Sequence, residues 1–169
     1  YYADFRGEGH MNEDYVTEYK AQTVDGVQTV TFKINPKAVF NDGTPIDVNA
    51  VKSYQTIYTA AASGSDYQIT PSPIWEQVAS VESVDGDTRH VKVTMSKPWY
   101  PIAGSFTSFL HPAFVDVAFF NDGMNGEPLD KYWAGPFKVS EWDASGKVLT
   151  VVRNEKWWGT KPLLERITW

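Results

Sequence analysis

The sequence predicts an α+β protein in which hairpins of a mixed, mostly antiparallel sheet accompany one main helix. Apolar and polar residues alternate in several pairs of segments, and each pair is joined by a glycine-containing turn. One long stretch instead places apolar residues at three- and four-residue spacing, which indicates a helix. The 169 residues are 42% hydrophobic and 21% charged, so the chain is long and apolar enough to form a domain with a core. Hairpins combined with a single helix are typical of the α+β class.

The first predicted hairpin joins a strand over residues 13–22 to a strand over residues 28–34. Asp25 and Gly26 stand between them, and glycine suits a tight hairpin turn because it adopts positive φ without a Cβ clash. The second strand directs alternate apolar side chains to one face: Val30, Phe32 and Ile34.

The main helix is predicted to follow a sharp turn at residues 40–45, where Gly43 and Pro45 favour chain reversal. Asp47 is the predicted N-cap, because its carboxylate can accept a hydrogen bond from a free amide of the first turn. The helix then runs for about four turns to a stop at Ser63 and Gly64. Its apolar positions are Val48, Val51, Tyr54, Ile57, Tyr58 and Ala61.

The second half of the sequence predicts further hairpins, loops and a short helix. A polar loop over residues 63–73 carries Tyr67, for which no core role is evident. Strands over residues 78–84 and 90–95 form a second hairpin, and the apolar residues 102–110 predict a short buried helix. The remaining predictions are a loop over 121–131, a third hairpin over 135–142 and 148–153, and a strand within 164–169.

Charge and composition exclude several classes of function. Fifteen basic and twenty-one acidic residues give a net charge of −6 without a Lys/Arg cluster, so nucleic acid and anionic membranes are poor partners. The absence of cysteine excludes disulfides, thiolate zinc sites and cysteine nucleophiles. The apolar stretch over residues 109–120 is far shorter than the roughly 20 residues of a spanning helix. Since the sequence begins without Met and ends in a strand-like pattern, we expect a fragment of a longer chain.

Three segments, in order, carry a resemblance to a known family: residues 31–51 around Asp42-Gly43-Thr44-Pro45, residues 81–98, and residues 135–167 with Asn154 and Trp157-Trp158-Gly159. They resemble extracellular solute-binding proteins of the peptide and nickel class, which are the capture subunits of ABC importers. The resemblance implies that residues 1–169 form a single domain, a fragment of the first lobe of a two-lobed periplasmic-binding-protein-like fold. Ala50 and Phe137 depart from the family's usual residues, at positions that bear no ligand chemistry.

The resemblance also implies a function. Such proteins bind a peptide or another small solute between two lobes and deliver it to the ABC permease subunits, without breaking bonds. We therefore expect a protein that is not an enzyme, needs no cofactor or metal, and works as a monomer. Its expected location is extracytoplasmic, in the periplasm or lipid-anchored outside the cytoplasmic membrane.

The predicted ligand contacts lie in two segments. Ser108, Phe109 and His111 belong to the segment that borders the cleft by resemblance, although His111 also suits a hydrogen-bonded structural histidine. As a lone imidazole, it is a weak signal for metal. Tyr67 and Trp75 come from the loop after the helix, which reaches the ligand in the family; an exposed loop is the alternative.

A secreted carbohydrate-active enzyme or a tryptophan-rich carbohydrate-binding module is the alternative function, because the chain is acidic and has seven tryptophans. A sugar platform requires exposed and coplanar rings, whereas the importer hypothesis buries Trp157 and Trp158 in packing. Trp99, Trp133 and Trp142 are also predicted to be packing residues. No catalytic residues are predicted, since the sequence lacks a Gly-x-Ser-x-Gly elbow and its acid pairs fall at strand edges and turns. A structural interaction domain without a ligand is a third possibility.

Overall fold

The computed structural model describes residues 2–3, 6, 8–125 and 130–169. These residues form three antiparallel sheets and two α-helices. The part of the predicted 121–131 loop at residues 126–129 lies outside the described residues. The elements are β1 (Tyr2–Ala3), β2 (Gly9–His10), β3 (Val16–Val24), β4 (Val27–Ile34), α1 (Val48–Ala62), β5 (Val78–Val84), β6 (Asp87–Met95), α2 (Val117–Asp122), β7 (Phe137–Asp143), β8 (Val148–Arg153) and β9 (Arg166–Thr168).

The largest sheet is four-stranded, with the order β3-β4-β6-β5. Both of its hairpins were predicted, and both use the expected turn: Asp25 and Gly26 have φ of 50° and 79°, and Asp85 and Gly86 have φ of 52° and 78°. Along β4 every second side chain is buried, which confirms the alternation predicted from the sequence. The sheet therefore presents one apolar face to the rest of the protein.

Helix α1 covers that face and begins where the sequence predicted. The Asp47 carboxylate accepts a hydrogen bond from the Asn49 N–H at 2.8 Å, and the helix ends at Ser63. The side chains of Val48, Val51 and Ile57 are buried beneath it. The main core between helix and sheet includes Val16, Val30, Phe32, Ile34, Val91 and Val93.

Arg89 fixes the connection between β4 and α1. Its guanidinium Nη1 donates to the carbonyl oxygens of Asn35, Ala38 and Ile46 at 2.8, 2.9 and 3.0 Å. One charged side chain thus binds three carbonyl oxygens of this connection, which also contains the β-bridge between Val39 and Pro45. Arginine suits this position because its planar head carries several donors in a fixed geometry.

The sheet β7-β8-β9 is joined to the turn before α1 through buried Asn154. The Asn154 side-chain amide donates to Asn41 Oδ1 at 2.8 Å and to the Gly135 carbonyl at 2.9 Å, while its oxygen accepts the Lys156 N–H at 3.1 Å. The Lys156 ammonium also donates to the Asn41 carbonyl at 2.7 Å. These hydrogen bonds hold this sheet to the turn that precedes α1.

The prediction of a short helix over residues 102–110 is wrong. These residues form a turn, in which Gly104 and Phe106 have φ of 76° and 66°, followed by irregular chain. Left-handed residues cannot continue a right-handed helix, and the Tyr19 hydroxyl binds the Ile102 carbonyl at 2.9 Å. The helical residues lie further on, in a 3-10 turn at Pro112–Val115 and in α2, whose last residues were predicted as loop. In the described part of the chain, no helix has the length and apolar character needed to span a bilayer.

Candidate ligand-binding cavity

An open cavity of about 590 Å³ lies beside the N-terminal half of α1. This volume falls within the usual range of small-molecule sites. Its walls come from the start of β3, from residues 104–111 and from residues 132–134. Aromatic rings dominate the lining, and they belong to Tyr15, Phe40, Tyr54, Phe109, Phe114, Phe120, Tyr132 and Trp133.

One wall is the irregular segment over residues 102–110. Hydrogen bonds and ring contacts with the sheet and the helix hold this segment in place. Tyr19, on β3, donates its hydroxyl to the Ile102 carbonyl, and the Leu110 N–H donates to the Ala50 carbonyl of α1 at 3.1 Å. Phe106 is buried against Trp75, with ring centroids 5.0 Å apart. The segment is thus anchored on both sides of the cavity-lining residues Thr107, Ser108 and Phe109.

Another wall, residues 132–134, is tied to Tyr15, the residue before β3, and to the turn before α1. The Tyr15 hydroxyl donates to the Ala134 carbonyl at 3.0 Å, and the Asn41 N–H donates to the Trp133 carbonyl at 2.8 Å. Burial, with a smaller contribution from the nearby Asp14 carboxylate, raises the pKa of Tyr15 to about 12. Tyr15 therefore stays protonated and keeps its hydrogen bond across the neutral range.

His111 is buried at the base of the cavity and both of its ring nitrogens are hydrogen-bonded. Nδ1 accepts the Ala113 N–H at 3.1 Å and caps the 3-10 turn Pro112–Val115, and Nε2 lies 3.1 Å from Asp42 Oδ2. Because Nδ1 acts as an acceptor, the proton of the neutral ring is on Nε2 and is donated to Asp42. Burial acts to raise the pKa of Asp42, but hydrogen bonds from Thr44, together with the charge and hydrogen bond of His111, outweigh it and lower that pKa.

Three of the five predicted contact residues line the cavity: Ser108, Phe109 and His111. Tyr67 and Trp75 do not, since both are buried in packing. The Tyr67 hydroxyl donates to the Val115 carbonyl and its ring lies 5.3 Å from that of Phe120, so the expectation that Tyr67 has no core role is wrong. Trp75 stacks on Tyr54 at 5.6 Å, behind the cavity wall.

Sequence reasoning missed most of the aromatic lining, including Tyr15, Phe114 and Tyr132. Local signals for part of it were present. His111 before Pro112 is an N-cap followed by proline at the first helical position, and Asp116 caps α2 by accepting the Phe119 N–H at 2.8 Å. Those two caps predict the turns that carry Phe114 and Phe120, whereas no local pattern brings Tyr15 and Tyr132 to one cavity.

Trp157 and Trp158 pack on Tyr15 and do not form a flat platform. Their ring planes are 43° apart, and each ring centroid lies within 5.5 Å of that of Tyr15. Their indole N–H groups donate to the carbonyls of Thr160 and Asp14 respectively. Both are half-buried, which agrees with the predicted packing role, whereas Trp133 and Trp142 are 55% and 43% exposed. Trp133 lies on the cavity rim.

Solved structures show the same fold. The structure titled "Periplasmic EDTA-binding protein EppA" superposes with a TM-score of 0.80 at 23% identity, over 96% of this chain and 31% of that one. The oligopeptide-binding protein AppA from Bacillus subtilis, in complex with a nonapeptide, superposes with a TM-score of 0.65 at 21% identity, over 88% of this chain and 29% of that one. The chain therefore has part of a two-lobed periplasmic-binding-protein-like fold.

Sequence comparison identifies the family. Residues 14–169 match the family model described as bacterial extracellular solute-binding proteins, family 5 Middle. The oligopeptide-binding protein OppA of Mycobacterium tuberculosis is 34% identical over 167 residues, which cover 96% of this chain and 27% of that protein. The chain belongs to the family 5 extracellular solute-binding proteins, and it spans about 27% of the length of this relative.

Proposed function

We propose that this chain is part of the first lobe of the substrate-capture component of an ABC importer. Its task is to bind a peptide or a similar small solute in a cleft between two lobes. Membership of the family supports the class of function, and the preformed cavity that contains Ser108, Phe109 and His111 is the observation that carries the site. The match to only 27–31% of the relatives' length supports the assignment to one lobe.

The names of the relatives indicate which solutes are candidates. The OppA relative is named for oligopeptides and the AppA structure contains a nonapeptide, whereas EppA is named for EDTA. A peptide is the first choice, because the relative with 34% identity is an oligopeptide-binding protein. In this assignment Ser108, Phe109 and His111 contact the solute, while Tyr67 and Trp75 support the walls from behind.

The remaining features of the proposal follow from the class. The protein binds its solute without bond breaking, uses no cofactor, and hands the solute to the permease subunits. It acts as a monomer outside the cytoplasm, in the periplasm or lipid-anchored to the outer face of the cytoplasmic membrane. Solute binding in such proteins is coupled to hinge closure of the two lobes.

Native mass spectrometry of a longer protein that contains these residues, purified without denaturation, tests the proposal. A peptide retained by the protein is the expected result. Calorimetry with a peptide library then compares the longer protein with the 169-residue chain. We expect the chain alone to fold but to bind more weakly, because only part of the cleft is present. Micromolar binding by the chain alone contradicts the two-lobe cleft, and a longer protein that retains and binds no peptide contradicts the function.

A further inference from the structure

We propose that the cavity takes an uncharged, apolar or aromatic group of the solute and excludes a group that carries a formal charge. This inference rests on the proposed function and specifies its substrate class. It depends on the chemistry of the lining, on the hydrogen bonds that occupy its polar atoms, and on the burial of its walls.

The described residues that line the cavity include no Asp, Glu, Lys or Arg. Their titratable side chains are His111 and the tyrosines Tyr15, Tyr54 and Tyr132. A charged group entering such a site loses hydration without gaining an opposite charge, and an unpaired charge in an apolar environment is strongly disfavoured. An aromatic or aliphatic group instead removes its own apolar surface from water.

His111 offers no free nitrogen to a charged solute. Its Nδ1 is occupied by the Ala113 N–H and its Nε2–H by Asp42, both at 3.1 Å. The rings of Phe40 and Tyr132 pack against the imidazole, with centroids 4.8 and 4.7 Å away. A solute therefore meets carbon atoms of this ring, and an ion pair with a solute carboxylate would require both existing hydrogen bonds to be rearranged.

Two of the lining tyrosines also lie where a charged group is disfavoured. The Tyr15 hydroxyl is used by the Ala134 carbonyl, and burial raises the pKa of both Tyr15 and Tyr54. The desolvation that disfavours a phenolate at these two positions also disfavours a charged ligand group between them. Neutral polar contacts to an amide are offered by the Ser108 hydroxyl and the Asn12 side-chain N–H groups, whereas the Thr107 hydroxyl already donates to the Gly104 carbonyl and Asn12 Oδ1 accepts the Asp14 N–H.

Two charged groups close to the lining have partners within the described structure, and the Asp14 carboxylate near Tyr15 is not among the lining residues. The Asp42 carboxylate pairs with His111, and the Lys131 ammonium lies over the Tyr132 ring, 4.8 Å from its centroid. The lining therefore complements a neutral occupant, even though the whole chain has a net charge of −6.

Two dyes with the same ring system and different charge test the inference directly. N-phenyl-1-naphthylamine is neutral, and 1-anilinonaphthalene-8-sulfonate is its anionic analogue. Fluorescence titrations of the 169-residue chain in about 0.5 M salt suppress the long-range effect of the protein's net charge. We expect the neutral dye to bind at least about 10-fold more tightly. The same order is expected for blocked tripeptides, with Gly-Phe-Gly binding more tightly than Gly-Lys-Gly and Gly-Glu-Gly.

Charged substitutions at Ser108 test whether the dyes and tripeptides bind in this cavity. Ser108 lines the cavity with an exposed side chain, so Ser108→Lys and Ser108→Asp are compatible with folding, which a thermal melt verifies. We expect Ser108→Lys to tighten binding of the anionic dye and of Gly-Glu-Gly at least about fivefold, and Ser108→Asp to do the same for Gly-Lys-Gly. Ser145→Lys and Ser145→Asp, in the exposed turn between β7 and β8, are matched controls that should leave all affinities unchanged.

The outcomes separate this inference from the proposed function. Equal affinity for neutral and charged probes, or no response to charge at Ser108, overturns the inference and leaves the proposed function intact. Preference for the neutral dye with no peptide bound by the chain or by the longer protein supports the charge rule and contradicts the proposed function. If the 169-residue chain binds the neutral dye but the longer protein excludes it, another segment of the protein fills the cavity and the inference is wrong.

Discussion

The body of the protein, residues 15–95 with β3–β6 and α1, and the cavity wall, residues 98–125 and 130–134, are held together by different interactions. In the body, Val30, Phe32 and Val93 are at most 1% exposed and belong to one continuous core. The wall has little regular structure, and side chains of the body fix its backbone, as Tyr15 does at Ala134 and Tyr19 at Ile102. We therefore expect most of the stability to come from the body, whereas the wall forms much of the candidate cavity.

This division of roles explains why the cavity forms where it does. A loop placed on a rigid sheet and helix can vary its side chains without loss of the fold, which suits a binding surface. In this chain the loop is also restrained, because its carbonyls accept hydrogen bonds from the hydroxyls of Tyr15 and Tyr19 and the Leu110 N–H donates to the Ala50 carbonyl of α1. We consequently expect the cavity to keep its shape when a ligand binds.

The largest expected effect comes from a core truncation in the body. Phe32→Ala should lower the free energy of unfolding by about 3–5 kcal/mol, because it removes a large buried ring and leaves a cavity. Phe109→Ala, in the half-buried wall, should cost less than half as much while weakening binding of the neutral dye. Urea unfolding measures both variants. Equal costs would show that body and wall do not differ in their contribution to stability.

A smaller effect is expected at the junction with the sheet β7-β8-β9. Asn154→Ala should cost about 2 kcal/mol, since the backbone and side-chain partners of a buried amide lose their hydrogen bonds. Asn49→Ala, at an exposed position on α1, is the control and should remain within about 0.5 kcal/mol of wild type. If the two variants have the same stability in urea, the junction is held by other contacts.

The body and the wall also differ in how well the sequence predicted their structure. Alternation of Val30, Phe32 and Ile34, the Asp-Gly turns and the Asp47 cap are local signals, and each predicted an element that the structure contains. The 102–110 segment has an equally apolar composition, but its conformation depends on hydrogen bonds to residues more than 50 positions away. Local composition therefore predicted a helix there, and the prediction failed.

The candidate site was predictable only in part for the same reason. Ser108, Phe109 and His111 were identified through resemblance, and they line the cavity. Tyr15 and Tyr132 are 117 positions apart in the sequence and line one cavity only after the body and wall pack together. Tyr67 stands in a polar stretch, and its burial depends on α2, an element that the sequence analysis did not predict.

The hydrogen bond between body and wall at Tyr15 gives a pH-dependent prediction. Tyr15→Phe should cost about 1 kcal/mol at pH 9, because the Ala134 carbonyl loses its donor. The pKa of Tyr15 is raised from 10.0 to about 12, so its contribution to stability is complete below pH 10 and is lost as the pH rises through 12. The difference between wild type and variant should shrink over that interval. A difference in urea unfolding that stays constant from pH 9 to 12 would contradict this assignment.

The smallest expected effect is at Asp42, whose carboxylate joins the turn before α1 to His111 in the wall. Its pKa lies below the ordinary value of 3.8, so the contribution to stability is present above pH 3.8 and is lost as the pH falls through the lowered value. Asp42→Asn should therefore flatten the acid limb of the stability curve, measured by urea unfolding from pH 7 downwards. Asp143→Asn is the matched control, because Asp143 accepts similar turn hydrogen bonds from Ser145 and Gly146 N–H groups. An acid limb flattened equally by both variants would assign the effect to the turns, whereas a larger change at Asp42 isolates the link to His111 between the body and the wall.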